Sequence, residues 1–161
     1  LKIPKDQQVA YVTQTTLSID DTKSIVEAIK LKYRKVIEPK KNDICYATTN
    51  RQNSVKKIAA NCDLFVVIGA HNSSNSLRLV EVAKQYGAKN SILVESVENF
   101  NNSLINTINS LGITASASAP EILVQNFIKY LEKNYSVILH ETEYEKEDVN
   151  FKIPQQLKTT N

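Results

Sequence analysis

The sequence predicts an α/β fold built on parallel sheets. Short runs rich in β-branched residues alternate with segments of helical periodicity, which is the pattern of strand–helix–strand units. The longest apolar run, residues 64–70, is short and wholly apolar, as expected of a buried strand. With 161 residues, 42% of them hydrophobic, the chain is long enough to form a core without disulfides.

The predicted elements follow this alternation in chain order. In the first helix Ile25, Ala28 and Ile29 recur at helical spacing, so one stripe of that helix faces a sheet, and the later helices share the pattern. Strands are predicted at residues 8–13, 64–69, 91–94, 111–114 and 136–140. Helices are predicted at residues 19–33, 50–61, 76–86 and 119–133.

Two breaks divide this pattern. Pro39 and the polar residues that follow it predict a boundary between two lobes, residues 1–40 and residues 41–161. After Glu141 the chain becomes acidic and polar. A last extended segment, residues 149–154, is predicted to be an edge strand because Pro154 cannot donate to a ladder.

Composition excludes several classes of protein. The net charge of +3 is too small and too scattered to indicate nucleic-acid binding. No apolar run approaches the ~20 residues of a membrane helix, so we expect a soluble protein. The first residue is Leu and the chain has no Met, which suggests part of a longer protein. Two cysteines in unlike contexts indicate a reducing compartment.

Three segments rich in hydroxyl and amide side chains lead from a predicted strand into a predicted helix, at residues 12–18, 69–76 and 113–120. All three therefore fall at the carboxyl ends of parallel strands, where α/β proteins bind ligands, and next to helix N-termini, which attract anions. This arrangement suits a phosphate or a diphosphate. Neither a P-loop nor a Rossmann fingerprint occurs in the chain, which has only three glycines.

Helix capping is the alternative explanation for these hydroxyls. Residues 118–121 and 49–52 both fit the Ser/Thr-x-x-Glu/Gln capping box, and residues 18–21 are a close variant. One Ser suffices as a cap, however, and residues 72–76 place five polar residues in succession. His71 in that loop is either a ligand contact or an exposed loop residue, and Glu121 already has a capping position.

The two cysteines have different surroundings. Cys62 precedes the buried run, where free Cys is usually a small apolar filler. Cys45 precedes a helix start whose dipole favours a thiolate, so a metal ligand or reactive thiol and a core Cys remain equally open. One thiolate cannot hold a metal cluster, and neither His has ligand spacing with Cys45, so any metal needs residues from outside this sequence.

Four motifs resemble those of a known family in order and spacing. They are TQTTLSIDDT at residues 13–22, DICYATTNRQ at 43–52, NSSNS at 72–76 and ASAP at 117–120. The family is the 4-hydroxy-3-methylbut-2-enyl diphosphate reductases, iron–sulfur enzymes that end the methylerythritol phosphate route to isoprenoids by forming isopentenyl and dimethylallyl diphosphate. The resemblance extends from about Val9 to Leu157 and covers roughly the latter half of such an enzyme.

The resemblance implies a three-lobed α/β fold around a central 4Fe-4S cluster with one Cys from each lobe. This chain then holds the end of the second lobe and the whole third lobe. Cys45 is implied as a cluster ligand, and the implied substrate contacts, mostly to the diphosphate, are Thr15, Thr16, Ser73, Ser74, Asn75 and Ser118. The other two cysteines, the diphosphate-binding histidines and the proton-donating Glu belong to the N-terminal half of the family, so no catalytic acid is expected here.

Further expectations follow from the same resemblance. The electron donor is a ferredoxin or a flavodoxin-like protein, and the compartment is either a bacterial cytoplasm or a plastid-type organelle. Ser116 replaces the Gly that usually precedes the ASAP motif, which is expected to stiffen the loop. The alternative function is a non-catalytic anion-binding α/β module without a cluster.

Overall fold

The computed structural model describes residues 2–40 and 43–141 of the chain. Within these residues there are five strands and four α-helices, which alternate except between the fourth and fifth strands, and the strand pairings are all parallel, which confirms the predicted α/β class. The strands are β1 (Gln8–Ala10), β2 (Lys35–Ile37), β3 (Leu64–Ile68), β4 (Asn90–Val94) and β5 (Leu111–Ala115). The helices are α1 (Ile19–Lys32), α2 (Tyr46–Ile58), α3 (Ser74–Gln85) and α4 (Glu121–Asn134), with 3₁₀ turns at Ala59–Asn61, Val97–Asn99 and Asn102–Thr107.

Strand β3 lies at the centre of a three-stranded sheet, between β4 and β5. Successive side chains of a strand point to opposite faces. Phe65 and Val67 accordingly join a core with Val55 of α2 and Leu79 of α3, whereas Leu64, Val66 and Ile68 join a second core with Phe127 of α4. Burial on both faces explains why β3 is wholly apolar.

Strands β1 and β2 form a separate two-stranded sheet, and α1 is the crossover between them. Helix α1 begins after Ser18, whose hydroxyl accepts a hydrogen bond from the Asp21 N–H at 3.2 Å. Two aspartates in its first turn and two lysines in its last complement the helix dipole. This sheet brings the polar segment that follows β1 to the start of α1.

Two strand predictions differ from the structure. Strand β2 was not predicted, because a three-residue run between charged residues gives no readable alternation and acquires its strand form only by pairing with β1. The strand predicted at residues 136–140 is wrong, since these residues are irregular and Ile138 is 84% exposed. The predicted segment 149–154 lies outside the described residues.

Two capping predictions are also wrong. Helix α2 begins at Tyr46, four residues before the predicted start, so Cys45 is its N-cap and Thr49 lies inside the helix. Helix α4 has Pro120 at its N-cap position, and no side chain caps it there. The hydroxyl of Ser118 is therefore not needed for helix α4, whereas Ser18 caps α1 as predicted.

Asp63 lies just before β3 and bonds to the residues that precede β4 and β5. Its carboxylate accepts hydrogen bonds from the Lys89 ammonium at 2.6 Å and from the backbone N–H groups of Asn109 and Ser110 at 2.9 and 3.1 Å. The Lys89 ammonium, reinforced by these backbone donors, holds the pKa of Asp63 well below its usual range. The contribution to stability is therefore fully present above the unfolded pKa of about 3.9 and is lost as pH falls further.

Replacing Asp63 with Asn is expected to lower the Tm by a few degrees at pH 7, because two backbone donors lose their charged acceptor. The difference from the wild type should narrow as the pH falls from about 4 towards 2, because the Asp63 carboxylate then takes up a proton in the unfolded chain but resists it in the folded one. Thermal unfolding of both proteins across this range checks the sign. Asp6→Asn is the control, since the Asp6–Arg34 pair is about four-fifths exposed and should contribute little.

Candidate functional site

Cys45 lies at the N-terminus of α2 and is exposed. Its Sγ accepts the Thr48 N–H at 3.4 Å and lies 3.0 Å from the Thr48 hydroxyl, which is itself buried. Cys45 is thus an accessible sulfur atom at a helix N-terminus, which decides against a core Cys.

Cys62 has the opposite surroundings. It is 8% exposed, packs in the core between α2 and α3, and donates its thiol hydrogen to the Ile58 carbonyl at 3.3 Å. Burial, with the nearby Asp63 charge, raises the pKa of the Cys62 thiol. The prediction that Cys62 is a buried filler is confirmed.

The turn that carries Thr15 and Thr16 lies directly against the Cys45 segment. The Cys45 N–H donates to the Thr15 carbonyl at 3.1 Å, and the Leu17 N–H closes the turn on the Gln14 carbonyl. The Thr13 N–H donates to the Asp43 carboxylate at 2.9 Å. Thr15 is exposed and Thr16 is half-buried, so this turn is accessible where its backbone contacts that of Cys45.

The second polar loop follows β3 and enters α3. Ser73 caps this helix by accepting the Ser76 N–H at 3.3 Å, while Ser74 is exposed. Asn75 is only 7% exposed, yet neither its amide oxygen nor its amide nitrogen has a hydrogen-bond partner among the described residues. Because a buried amide without partners is costly, the Asn75 side chain has hydrogen-bonding capacity that no described residue takes up.

The third polar loop meets the second one across Gly69. A β-carbon at Gly69 would overlap the Ser76 hydroxyl and lie 3.0 Å from the Ser116 hydroxyl, so only glycine lets the two loops approach. The Ser116 N–H donates to the Ile68 carbonyl at 2.9 Å, and its hydroxyl lies 3.4 Å from that of the exposed Ser118. Ser116 is buried at the junction and links the two loops.

The structure therefore brings the predicted residues together in two groups. The first is Cys45 with the Thr15–Thr16 turn, and the second is the Ser73–Asn75 loop with Ser118. His71 is exposed beside the second group, and its backbone N–H donates to the Glu95 carboxylate. Glu121, on α4, is exposed and accepts a hydrogen bond from Gln125.

A cavity of about 150 Å³ lies between α2 and the β5–α4 segment. The residues that line it include Asn50, Arg51, Lys57, Thr114 and Glu121, and none of the predicted site residues. Within residues 2–40 and 43–141, no three His, Cys, Asp or Glu side chains are grouped closely enough to hold a metal ion. Cys45 can thus supply one ligand and no complete metal site.

Sequence reasoning missed the part played by Gln52 and Ser76. Gln52 was assigned to a capping box, but it is wholly buried within α2 and bonds to the loop before α1. The sequence does contain a signal for this role. Gln52 lies seven positions after Cys45, which places it on the same face of the helix. Ser76 was expected to begin α3, whereas its hydroxyl is buried at Gly69 without a partner among the described residues.

Comparison with known proteins identifies the family of this chain. The family model described as LytB protein matches residues 1–132. The chain belongs to the LytB family. It is 49% identical over 159 residues to the 4-hydroxy-3-methylbut-2-enyl diphosphate reductase of Wigglesworthia glossinidia brevipalpis, and 45% identical over 161 residues to the protein of that name from Methylococcus capsulatus. The resemblance inferred from the four motifs is confirmed at the level of the LytB family.

The solved structures agree with the sequence relatives. The E-1-hydroxy-2-methyl-but-2-enyl-4-diphosphate reductase of Plasmodium falciparum superimposes with a TM-score of 0.81 at 33% identity over 97% of this chain. This alignment covers 49% of the Plasmodium protein, and the alignments with the two bacterial relatives cover 50% and 51% of those proteins. This chain therefore spans about half the length of the LytB proteins it matches. No helix in the described residues is long and apolar enough to cross a membrane.

Proposed function

We propose that this chain is the latter half of an iron–sulfur reductase that removes the hydroxyl group of 4-hydroxy-3-methylbut-2-enyl diphosphate to form isopentenyl and dimethylallyl diphosphate. The observation that carries the proposal is 49% identity across 98% of the chain to a protein of that name. Residues 1–40 would be the end of a second lobe and residues 41–161 the third lobe of such an enzyme. The remaining half would supply the rest of the site.

The surroundings of Cys45 support its role as one ligand of a 4Fe-4S cluster. The sulfur atom is exposed, lies at a helix N-terminus and forms no disulfide. Soft thiolate ligands are those that iron–sulfur clusters require, and the other thiolates would come from outside this chain. When bound, such a cluster would pass on, one at a time, the two electrons that the reductive loss of the hydroxyl group requires. A ferredoxin or a flavodoxin-like protein would deliver those electrons, in a bacterial cytoplasm or a plastid-type organelle.

The two polar loops and the Thr15–Thr16 turn support binding of the diphosphate. Ser73, Ser74, Asn75 and Ser118 offer neutral donors beside the N-terminus of α3, where backbone N–H groups also favour an anion. The desolvated amide of Asn75 has donor capacity left for a phosphate oxygen. Thr15 and Thr16 would bind the same substrate from the side of Cys45, so these residues hold and orient the substrate while protons come from the other half of the enzyme.

Iron content separates this proposal from a non-catalytic anion-binding module. The full-length protein, purified under nitrogen, is expected to contain ~4 iron atoms per chain and to turn over the diphosphate substrate with a chemical electron donor. A protein that binds pyrophosphate but contains no iron would instead be the binding module.

The isolated 161-residue chain is expected to bind no stable cluster and to have no reductase activity, because one thiolate leaves the other irons without ligands. Reconstitution with iron and sulfide under nitrogen, followed by a visible absorption spectrum, tests this expectation. The full-length protein treated in the same way is the control. A stoichiometric cluster absorbance on the monomeric chain would contradict the proposed number of ligands.

A further inference from the structure

Gln52 holds the Thr15–Thr16 turn against Cys45 with both ends of its side-chain amide. The amide nitrogen donates to the Leu17 carbonyl at 2.9 Å, and the amide oxygen accepts the Ile19 N–H at 3.1 Å. The Gln52 side chain is wholly buried. The Leu17 carbonyl and the Ile19 N–H therefore form hydrogen bonds with Gln52 in place of water. A planar amide with one donor end and one acceptor end satisfies both groups at once.

The position of Gln52 on α2 explains why it acts on the same turn as Cys45. Residues seven apart in a helix are two turns apart and share a face. One stripe of α2 therefore begins at the N-cap Cys45 and continues through three buried residues, Thr48, Gln52 and Val55. Thr48 and Gln52 are polar and Val55 is apolar. Gln52 is therefore the last polar residue of this stripe, and it bonds to the loop before α1.

The loop is held at successive points by a single segment of the chain. Thr13 bonds to Asp43, the Thr15 carbonyl to the Cys45 N–H, and the backbone around Ser18 to Gln52. Of these contacts, that of Gln52 is the only one made by a fully buried side chain. It also lies next to Ser18, the N-cap of α1, so it fixes both the end of the turn and the start of the helix.

We propose that Gln52 is a positioning residue whose amide clamp fixes the Thr15–Thr16 turn beside Cys45 and thereby sets the affinity for the diphosphate group. This inference rests on the proposed function for the part that concerns diphosphate. The clamp itself rests only on the two hydrogen bonds. The two parts can be measured separately.

The test replaces Gln52 with Met, which keeps the volume and the helix propensity but removes both hydrogen bonds. In the full-length protein, amides in residues 17–19 and 45–48 are expected to exchange with deuterium about tenfold faster, because the turn is released. The Kd for inorganic pyrophosphate, measured by calorimetry, is expected to rise about tenfold, as for loss of one positioned hydrogen bond. Gln125→Met is the matched control, since Gln125 is exposed on α4.

A second variant keeps the test decisive if Gln52→Met folds poorly. Gln52→Asn keeps a neutral amide on a side chain that is one methylene shorter, so that it can satisfy at most one of the two backbone groups. It retains part of the clamp without burying a charge, so its effects on exchange and on pyrophosphate affinity are expected to be smaller than those of Gln52→Met.

Double variants identify the loop through which Gln52 acts. Combining Gln52→Met with Thr15→Ala is expected to weaken pyrophosphate binding less than the product of the single effects. If Gln52→Met has already moved Thr15 out of position, removing the Thr15 hydroxyl has little further effect. Combining Gln52→Met with Ser73→Ala should give the full product, because Ser73 is on the other loop.

The possible results distinguish the two proposals. Unchanged deuterium exchange in Gln52→Met would overturn the clamp, whatever the enzyme does. Faster exchange with unchanged pyrophosphate affinity would overturn the positioning role if Thr15→Ala still weakens binding. If neither Thr15→Ala nor Ser73→Ala weakens binding, the proposed diphosphate site fails, and the positioning role fails with it.

Discussion

Replacing Cys45 with Ser in the full-length protein is expected to remove the cluster and to lower the reductase rate to below about 1% of wild type, because a hydroxyl group does not replace a soft thiolate at iron. In the structure, this substitution is expected to change the metal ligand without disturbing helix α2. Cys45 is the N-cap of α2 and accepts the Thr48 N–H, and Ser is a preferred N-cap residue, so the helix start should be kept or strengthened. Iron content and rate are the measurements.

Cys62→Ser is the matched control for this substitution. Its hydroxyl replaces a buried thiol that already donates to the Ile58 carbonyl, so we expect a loss of about 1–2 kcal/mol in the free energy of unfolding and normal iron content. Full iron and full activity in Cys45→Ser would rule out the assignment of Cys45 as a ligand.

Replacing Asn75 with Ala is expected to weaken pyrophosphate binding by about 10- to 100-fold while leaving the ligand-free protein as stable as before, or more stable by about 1 kcal/mol. The two effects have one cause. The amide of Asn75 is buried without a partner in the described part of the chain, so it destabilises the empty protein and is available to the ligand. Ala also has the higher helix propensity in the first turn of α3.

Calorimetry with pyrophosphate and thermal unfolding without ligand measure the two effects separately in the full-length protein. Asn134→Ala is the control, since Asn134 is exposed at the end of α4 and donates to the Tyr130 carbonyl of the same helix. A lower Tm together with unchanged pyrophosphate affinity in Asn75→Ala would mean that Asn75 has a structural role instead.

The fold could be predicted from the sequence wherever burial itself sets the pattern. Strand β3 is buried on both faces and is therefore an uninterrupted apolar run. The start of α1 could also be predicted, from its cap at Ser18. The prediction that an apolar stripe of α1 packs against a sheet is wrong, because no residue of this helix is buried and Ile25 is 61% exposed. Strand β2 and the irregular residues 136–140 show the limit. Both depend on whether a neighbouring strand is present to pair with them, and no local pattern encodes that.

The candidate site could be predicted in part for a similar reason. Polar residues after parallel strands meet at one edge of a sheet, so Ser73 and Ser118 could be expected near each other. Capping could not be assigned correctly at Thr49 or Ser118, because the start of α2 depends on Cys45 and that of α4 on Pro120. The partner of a buried amide such as Gln52 is set by tertiary packing, which a motif does not reveal.

The contacts that join α1 to the rest of the chain have a mechanical consequence. Those described above involve residues 13–19, and the first turn adds the Asp20–Lys56, Asp20–Tyr86 and Asp21–Arg78 contacts. The contacts of α1 with α2, α3 and the segment before α2 all lie at the end of the helix next to Cys45. At the far end Lys30 pairs with Glu38, which follows β2, so that end is held to the β1–β2 sheet, and Leu31 is 89% exposed. A helix anchored at one end pivots about that end. Swinging of α1 and of the β1–β2 sheet would therefore displace the far residues most and the distance between Thr15 and Cys45 least, so the site lies where such movement has the smallest amplitude.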